Sequence, residues 1–198
     1  MRILAVSDET SGYYYDYFVR GRLDEFDLIL SCGDLKREYL EFLVTMAHCP
    51  LVYVRGNHDE GYTEAPPEGC ECADGELLEI GGLRILGLGG AYEYRKGENM
   101  YSERKMKRRI RKLRRKLRKS GGFDILLTHA PARGLGDLDT LPHRGFECFL
   151  ELLEEYRPRF HVHGHVHLNY GHGISRVMQY GETTVINACG HYAFDFER

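Results

Sequence analysis

Residues 28–59 read LILSCGDLKREYLEFLVTMAHCPLVYVRGNHD. Residues 28–31 form an apolar run of strand length that stops at the turn Cys32-Gly33-Asp34. Residues 37–47 then carry apolar side chains at helical spacing, and residues 51–54 are a second apolar strand running into Gly56-Asn57-His58-Asp59. Strand, helix and strand in that order is the unit from which α/β folds are built. Both strands hand over to polar residues whose side chains can bind a metal.

The same pattern extends in both directions. Upstream, residues 2–7 are a short apolar strand ending in Asp8, and the stretch holding Tyr13, Tyr14, Tyr17 and Phe18 reads as an amphipathic helix. Downstream, residues 76–80 and 83–88 make a hairpin about Gly81-Gly82. Residues 124–128 form a strand into His129-Ala130-Pro131, residues 144–156 a helix, and residues 160–162 a strand into Gly164-His165-Val166-His167. The last third, with strands at 173–179 and 183–187, reads as antiparallel. No repeat, low-complexity tract or long linker divides the chain, so residues 1–198 are expected to form one α/β domain.

A chain of 198 residues with 42% hydrophobic and 29% charged side chains can bury a core, which excludes disordered and fibrous classes. Its apolar runs fall well short of the roughly 20 residues of a membrane span. Asp8 interrupts the N-terminal run too early for a secretory signal, so a cytoplasmic protein with six reduced cysteines is expected. The net charge of -3 hides an asymmetry: the segment that begins at Arg104 and ends at Lys119 carries 12 Lys and Arg and no acid, against 15 basic and 30 acidic residues elsewhere. Met106, Ile110, Leu113 and Leu117 recur within it as one helical stripe. A surface helix packed by that stripe is the favoured reading of its basic face, with a handle for phosphates, nucleic acid or anionic lipid as the alternative.

Chemistry gathers at the strand ends. Five strands terminate in Asp8, Asp34, Asn57 with His58, His129, and His165 with His167. The carboxyl ends of strands are where α/β sheets build sites, and Asp, Asn and His are the donors a hard-to-borderline divalent ion takes. His161, His163, His165, His167 and His172 fall within twelve residues, a density that packing alone does not ask for.

These segments, Ser7-Asp8, Cys32-Gly33-Asp34, Gly56-Asn57-His58-Asp59-Glu60, Thr128-His129-Ala130-Pro131 and Gly164-His165-Val166-His167, resemble the ordered motif blocks of the calcineurin-like metallophosphoesterases. Residues 127–171 are most similar to the small phosphodiesterase-type branch. The resemblance implies a four-layer α/β/β/α sandwich of two mixed sheets, with a dinuclear metal centre that hydrolyses phosphate esters, a diester expected over a monoester. It implies that Asp34 bridges both ions, that Asn57, His129 and His165 complete the second, and that Asp8 and His167 hold the first. His58 would donate a hydrogen bond or proton to the phosphoryl and leaving-group oxygens, oriented by Asp59. Two cations would lower the pKa of a bridging water to about 7 and neutralise phosphoryl charge. Mn²⁺ is the expected ion, with Fe, Ni and Zn as alternatives.

One block departs from the family. Its first motif is D-x-H, whereas this chain reads Asp8-Glu9-Thr10, and Thr10 stands where a metal-binding histidine is expected. In an extended backbone Thr10 shares a side with Asp8 and Glu9 points away; if the strand has already turned, Glu9 reaches round. A weakened first site follows, and with it an alternative function: a low-activity, metal-binding or scaffolding derivative of the fold with an anionic partner. His143 reads either as a substrate-binding group or as a helix-start residue, and the cluster of Tyr13, Tyr14, Tyr15 and Tyr17 as core packing ahead of a stacking wall of the cleft.

Overall fold

In β1 (Arg2–Ser7) the apolar side chains alternate between two destinations, and that alternation sets the layering. Ile3 and Ala5 enter a core shared with the opposite sheet, while Leu4 and Val6 pack beneath an outer layer. The computed structural model, which describes residues 1–171 and 173–197, continues through β2 (Leu28–Ser31), α1 (Arg37–Ala47), β3 (Leu51–Tyr53), β4 (Glu71–Cys72), β5 (Leu77–Ile80), β6 (Leu83–Leu88), β7 (Ala91–Tyr92) and β8 (Met100–Tyr101). α2 (Glu103–Ser120), β9 (Ile125–Thr128), α3 (Glu147–Tyr156), β10 (Phe160–His163), β11 (Val177–Tyr180), β12 (Thr183–Asn187) and β13 (Gly190–Asp195) complete the order.

The strands form two mixed sheets, ordered β13-β1-β2-β3-β4 and β11-β12-β10-β9-β6-β5, with β7 and β8 paired separately. In the first, β1 to β4 run parallel and β13 closes the edge antiparallel to β1, with Arg2 opposite Asp195. In the second, β12, β10, β9 and β6 run parallel between the antiparallel edges β11 and β5. Ile3, Leu30, Val52, Ile85, Leu127 and Val162 meet between the sheets. Tyr39, Leu40 and Leu43 of α1 cover the outer face of the first sheet, and α2 and α3 cover that of the second. This is the four-layer α/β/β/α sandwich that the resemblance implies.

The basic segment is α2, capped by the Ser102 side chain, which accepts from the Lys105 amide at 3.4 Å, and ended by Gly121 at φ 70°. Its buried residues are the stripe read from the sequence, Met106, Ile110, Leu113 and Leu117. Burial of such side chains contributes about 1.5–3 kcal/mol each, enough to hold a helix whose other faces are cationic. Part of that charge is matched locally: Lys105 pairs with Glu93, Lys107 with Glu151, Arg109 with Asp74, Arg114 with Glu155 and Lys116 with Glu76. Arg104, Arg108, Arg111, Lys112 and Arg115 remain exposed.

Four expectations need correction. Residues 13–18 are successive turns rather than a helix: the amides of Tyr14 and Tyr15 both bond to the Ser11 carbonyl and that of Tyr17 to Gly12, so no single ladder propagates. The final strands are not all antiparallel, because the β11-β12 hairpin turns at Gly181-Glu182 and lays β12 parallel to β10, Phe160 opposite Thr184. Within it β11 starts at Val177, well after residue 173. α3 begins at Glu147 rather than 144, because Phe146 is extended and exchanges backbone hydrogen bonds with Pro131 and Arg133.

Candidate metal centre

Parallel strands in each sheet bring their carboxyl ends to one rim, and the two rims meet. The His129 ring reaches across the sandwich to the Cys32 carbonyl, with Nδ1 at 2.7 Å, and the His165 amide donates to the Asp8 carboxylate at 2.9 Å. The chain leaves three of these strands through left-handed residues, Asp8 at φ 61°, Asp34 at φ 56° and His165 at φ 69°. Two glycines permit the close approach. A Cβ on Gly56 would stand 2.0 Å from Asp34 Oδ1, and one on Gly164 1.9 Å from Ser7 Oγ.

Asp34, His129 and His165 each offer a ligand atom, and these atoms lie within 4.8 Å of one another, largely buried. Because Nδ1–H of His129 donates to the Cys32 carbonyl, Nε2 faces Asp34 Oδ2 at 3.4 Å and Asn57 Oδ1 at 2.9 Å. Burial opposes a charge on this ring, yet the Asp34 carboxylate outweighs it and holds the imidazole up at about 9. Asp34 in turn is disfavoured as an anion by burial but drawn down to about 2 by His129. The two oxygens thus select positive charge between them, which is the donor chemistry a divalent cation requires. His165 Nε2 donates to the Pro142 carbonyl at 2.7 Å and leaves Nδ1 as the ligand atom. Burial, reinforced by His129, lowers its pKa to about 3 and keeps it neutral and ligand-competent.

Around the expected first position, β1 has already turned at Asp8, and the Glu9 amide bonds back to the Ser7 carbonyl at 2.6 Å. Glu9 therefore reaches round, and its carboxylate meets His167 Nδ1 at 2.9 Å. Thr10 lines a cavity of about 470 Å³ beside it. Asp8 is raised above the usual carboxylate range by burial, which its contacts with His129 and the His165 amide only partly offset. Cys189, the residue after the end of β12 and Ala188, brings a thiol into reach of Glu9 and His167. Nothing in the sequence pattern pointed to Cys189.

His58 stands exposed at the mouth, its amide donating to Asp34 Oδ1 at 2.8 Å. The Asp59 carboxylate accepts the amides of Gly56 at 2.7 Å and Asp34 at 2.8 Å rather than bonding the His58 ring, so it braces the loops instead of orienting His58. Burial, then the Asp34 charge, pushes Asp59 up to about 6. His143 lies in a one-turn 3-10 segment with its ring 5.4 Å from His165 and 5.0 Å from Tyr170, next to the cluster and outside the motif blocks. Tyr170 also stacks on His167 at 4.8 Å. Two of the clustered histidines are core residues after all: His161 and His163 are buried on the α3 side of β10, and His172 lies outside the described residues. Among the tyrosines, Tyr14 and Tyr15 pack toward α1, while Tyr13 joins the cavity wall.

Comparison with known proteins identifies the family. The family model for calcineurin-like phosphoesterases matches residues 1–169. A UPF0046 protein of Caenorhabditis elegans is 29% identical over 197 residues, covering 81% of this chain and 64% of its own length. The human metallophosphoesterase domain-containing protein 1 is 40% identical over 72 residues, covering 34% of this chain and 20% of its own length. The chain thus spans less than two thirds of the relatives it matches. Among solved structures, TT1561 of Thermus thermophilus superposes with a TM-score of 0.59 at 16% identity, over 95% of this chain and 88% of the other, a likeness of fold.

Proposed function

The chain belongs to the calcineurin-like phosphoesterase family, and on that premise we propose that it is a metal-dependent phosphodiesterase working at a dinuclear centre. The observation that carries the reading is the buried convergence of Asp34, His129 and His165. Asp34 would bridge the ions, Asn57, His129 and His165 would complete one position, and Asp8 and His167 would serve the other. What divalent ions supply there is Lewis acidity toward water and phosphoryl oxygen. Mn²⁺ is the ion expected at the oxygen and nitrogen donors of Asp34, Asn57, His129 and His165.

The chain's own part is orientation and proton delivery. A cleft of about 350 Å³ opens beside the centre, lined by Asp34, Lys36, Arg37, Glu38, His58 and Asp59; Arg37 is paired with Glu41 at 3.2 Å, so Lys36 is the cation left to meet a phosphoryl group on entry. His58, at the mouth and tethered through its amide to Asp34, is placed to hand a proton to the leaving oxygen. Asp59 keeps the Asp34 and Gly56 amides in register, which fixes the turn that presents Asp34. A cytoplasmic setting is part of this reading, and the core shared by both sheets supports one domain over residues 1–198. Among the described residues no helix is long and apolar enough to cross a membrane.

The test is hydrolysis of bis(p-nitrophenyl) phosphate and of p-nitrophenyl phosphate by chelator-treated protein reloaded with Mn²⁺, with Asp34→Asn as control. The diester should be the better substrate and Asp34→Asn should abolish turnover. Asp34→Asn retaining most of the wild-type kcat would sink the shared-ligand mechanism. Tight metal binding without turnover of either ester would transfer the fold to the binding or scaffolding role.

A further inference from the structure

The loss of the expected histidine at Thr10 leaves a gap in the donor set, and three side chains stand beside it. Glu9, exposed, is brought round by the turn at Asp8 and bonds His167 Nδ1 at 2.9 Å. Cys189 is buried, and its Sγ lies with the Glu9 and His167 donor atoms inside 4.8 Å. The three come from the end of β1, the loop after β10 and the loop after β12, so only the folded sandwich assembles them. Their placement is held by backbone. Asn187 Oδ1 accepts the Cys189 amide at 2.9 Å, and Asn187 Nδ2 donates to the Val166 carbonyl at 2.8 Å, which ties the cysteine loop to the His167 loop. A bridge between Ser7 and Cys189 ties the same loop to the end of β1. The cavity of about 470 Å³ that touches Glu9, Thr10 and Cys189 gives solvent and ions a way in.

We propose that Glu9, His167 and Cys189 form a mixed oxygen, nitrogen and sulfur metal site that prefers a thiophilic borderline ion such as Zn²⁺ over Mn²⁺. The site deepens the reading of the first ion given above and rests on it for an ion being present near His167, but it moves that ion away from Thr10. The selectivity follows from the donors: thiolate and imidazole favour Zn²⁺, whereas Mn²⁺ prefers carboxylate, carbonyl and water. Three protein donors with one side open to a cavity is the arrangement of a zinc site that keeps an exchangeable position. The two positions would then differ in character, one of oxygen and nitrogen and one containing sulfur, and a preparation supplied with Mn²⁺ alone would leave the sulfur-containing one poorly filled.

Cobalt(II) is the direct probe, because Cys189 ligation gives a sulfur-to-metal charge-transfer absorption that the Asp34, Asn57, His129 and His165 position cannot give. Chelator-treated full-length protein titrated with Co²⁺ should develop that band in the wild type and in the Cys70→Ser and Cys72→Ser controls, and lose it in Cys189→Ser. Zn²⁺ should displace the band, and Mn²⁺ should not. Glu9→Gln, at an exposed position where folding is not at stake, should keep the band but weaken Co²⁺ and Zn²⁺ binding by ~10-fold or more, judged by the size of effect that losing a ligand-shell contact has elsewhere. Elemental analysis supplies the second readout: Zn²⁺ retained by the wild type after desalting should exceed that retained by Cys189→Ser. Absence of the band in the wild type, or equal Zn²⁺ retention by the wild type and Cys189→Ser, would overturn the site. Neither readout uses hydrolysis, so a chain that turns over diesters without the band loses this site and keeps the phosphodiesterase reading, and the converse result separates them equally well.

Discussion

Acid should unfold this protein through two histidines that do no chemistry. Thr128 Oγ1 donates to the Ala130 carbonyl at 2.7 Å, so it must accept from His161 Nε2 at 2.9 Å. That fixes the Nε2–H form and leaves Nδ1 a buried acceptor without a partner among the described residues. Burial, and then the neighbouring His163, holds the pKa of His161 well below the ordinary imidazole value. His163 is likewise held down to about 4, chiefly by burial. Both pKa values are depressed by folding, so the stability they lend is fully present above the unfolded value of about 6.5 and drains away as the pH falls through the folded values. Between pH 7 and pH 5 each unfolded imidazole takes up most of a proton that the folded one refuses. The cost is at most ~2 kcal/mol per ring, or ~4 kcal/mol for the pair, out of a total stability on the order of 5–15 kcal/mol. Urea unfolding followed by circular dichroism at the two pH values, with chelator present, measures it. His161→Gln keeps an N–H for Thr128 and cannot protonate, so whatever its stability at pH 7 it should lose up to ~2 kcal/mol less than wild type on acidification. Equal pH sensitivity of the two proteins would refute the buried-neutral assignment.

Other substitutions probe the remaining parts. His58→Ala should lower kcat by ~10²–10⁴-fold while metal content, measured by elemental analysis, stays unchanged; loss of metal would move His58 into the ligand set. Leu113→Ala, on the buried stripe of α2, should cost about 2–5 kcal/mol in urea unfolding, whereas a value under 1 kcal/mol would mean the helix is not held by that stripe. Replacing Arg108, Arg111, Arg115 and Arg118 with Gln should leave fold and ester hydrolysis near wild type; if the wild type binds nucleic acid at low salt, the variant should bind more weakly with a flatter salt slope, and no wild-type binding leaves the solvated-face reading. Thr10→His should give little gain in first-ion affinity by titration, because Glu9 and Cys189 already stand there; a large gain would restore Thr10 as the defect.

What could be read in advance followed from local rules. The 11 residues of α1 and the four buried positions of α2 are periodicity made solid, and β1, β2 and β12 fall where apolar runs of strand length predict. The strand-end placement of Asp8, Asp34, Asn57, His129 and His165 is equally legible, because the strands that carry these residues run parallel within their sheets and end at one rim. What stayed hidden depends on partners far along the chain. β13 has a mixed burial pattern that resembles no standard strand, and it exists because β1 offers an open edge. The parallel pairing of β12 with β10 joins segments more than twenty residues apart, and the burial of His161 and His163 depends on the helix that covers them. Cys189 carries no signal at all in a sequence with five other cysteines.

The turn at the strand ends accounts for both the success and the failure at the site. Among the described residues six non-glycines have positive φ, and three of them, Asp8, Asp34 and His165, are candidate ligands or bridging groups. A left-handed backbone costs an L-residue roughly 1–2 kcal/mol, so three such residues in one cleft need compensation. It is visible in the bonds that cross the rims: Asp8 N to the Gly33 carbonyl at 3.1 Å, His165 N to the Asp8 carboxylate, and His58 N to Asp34 Oδ1. Each sharp turn swings a donor off the pleat and into the space between the sheets, where donors from both sheets converge. The same turn ends the two-residue alternation that placed Thr10 beside Asp8 and Glu9 opposite. A strand that continued straight would have put Thr10 at the metal position and left the site short of a donor; a strand that turns at Asp8 sends Glu9 to His167 instead. On the proposed site, the missing histidine is a change of which residue the turn presents, and the place of Glu9 beside His167 is decided by backbone geometry that no spacing rule for extended chain could carry.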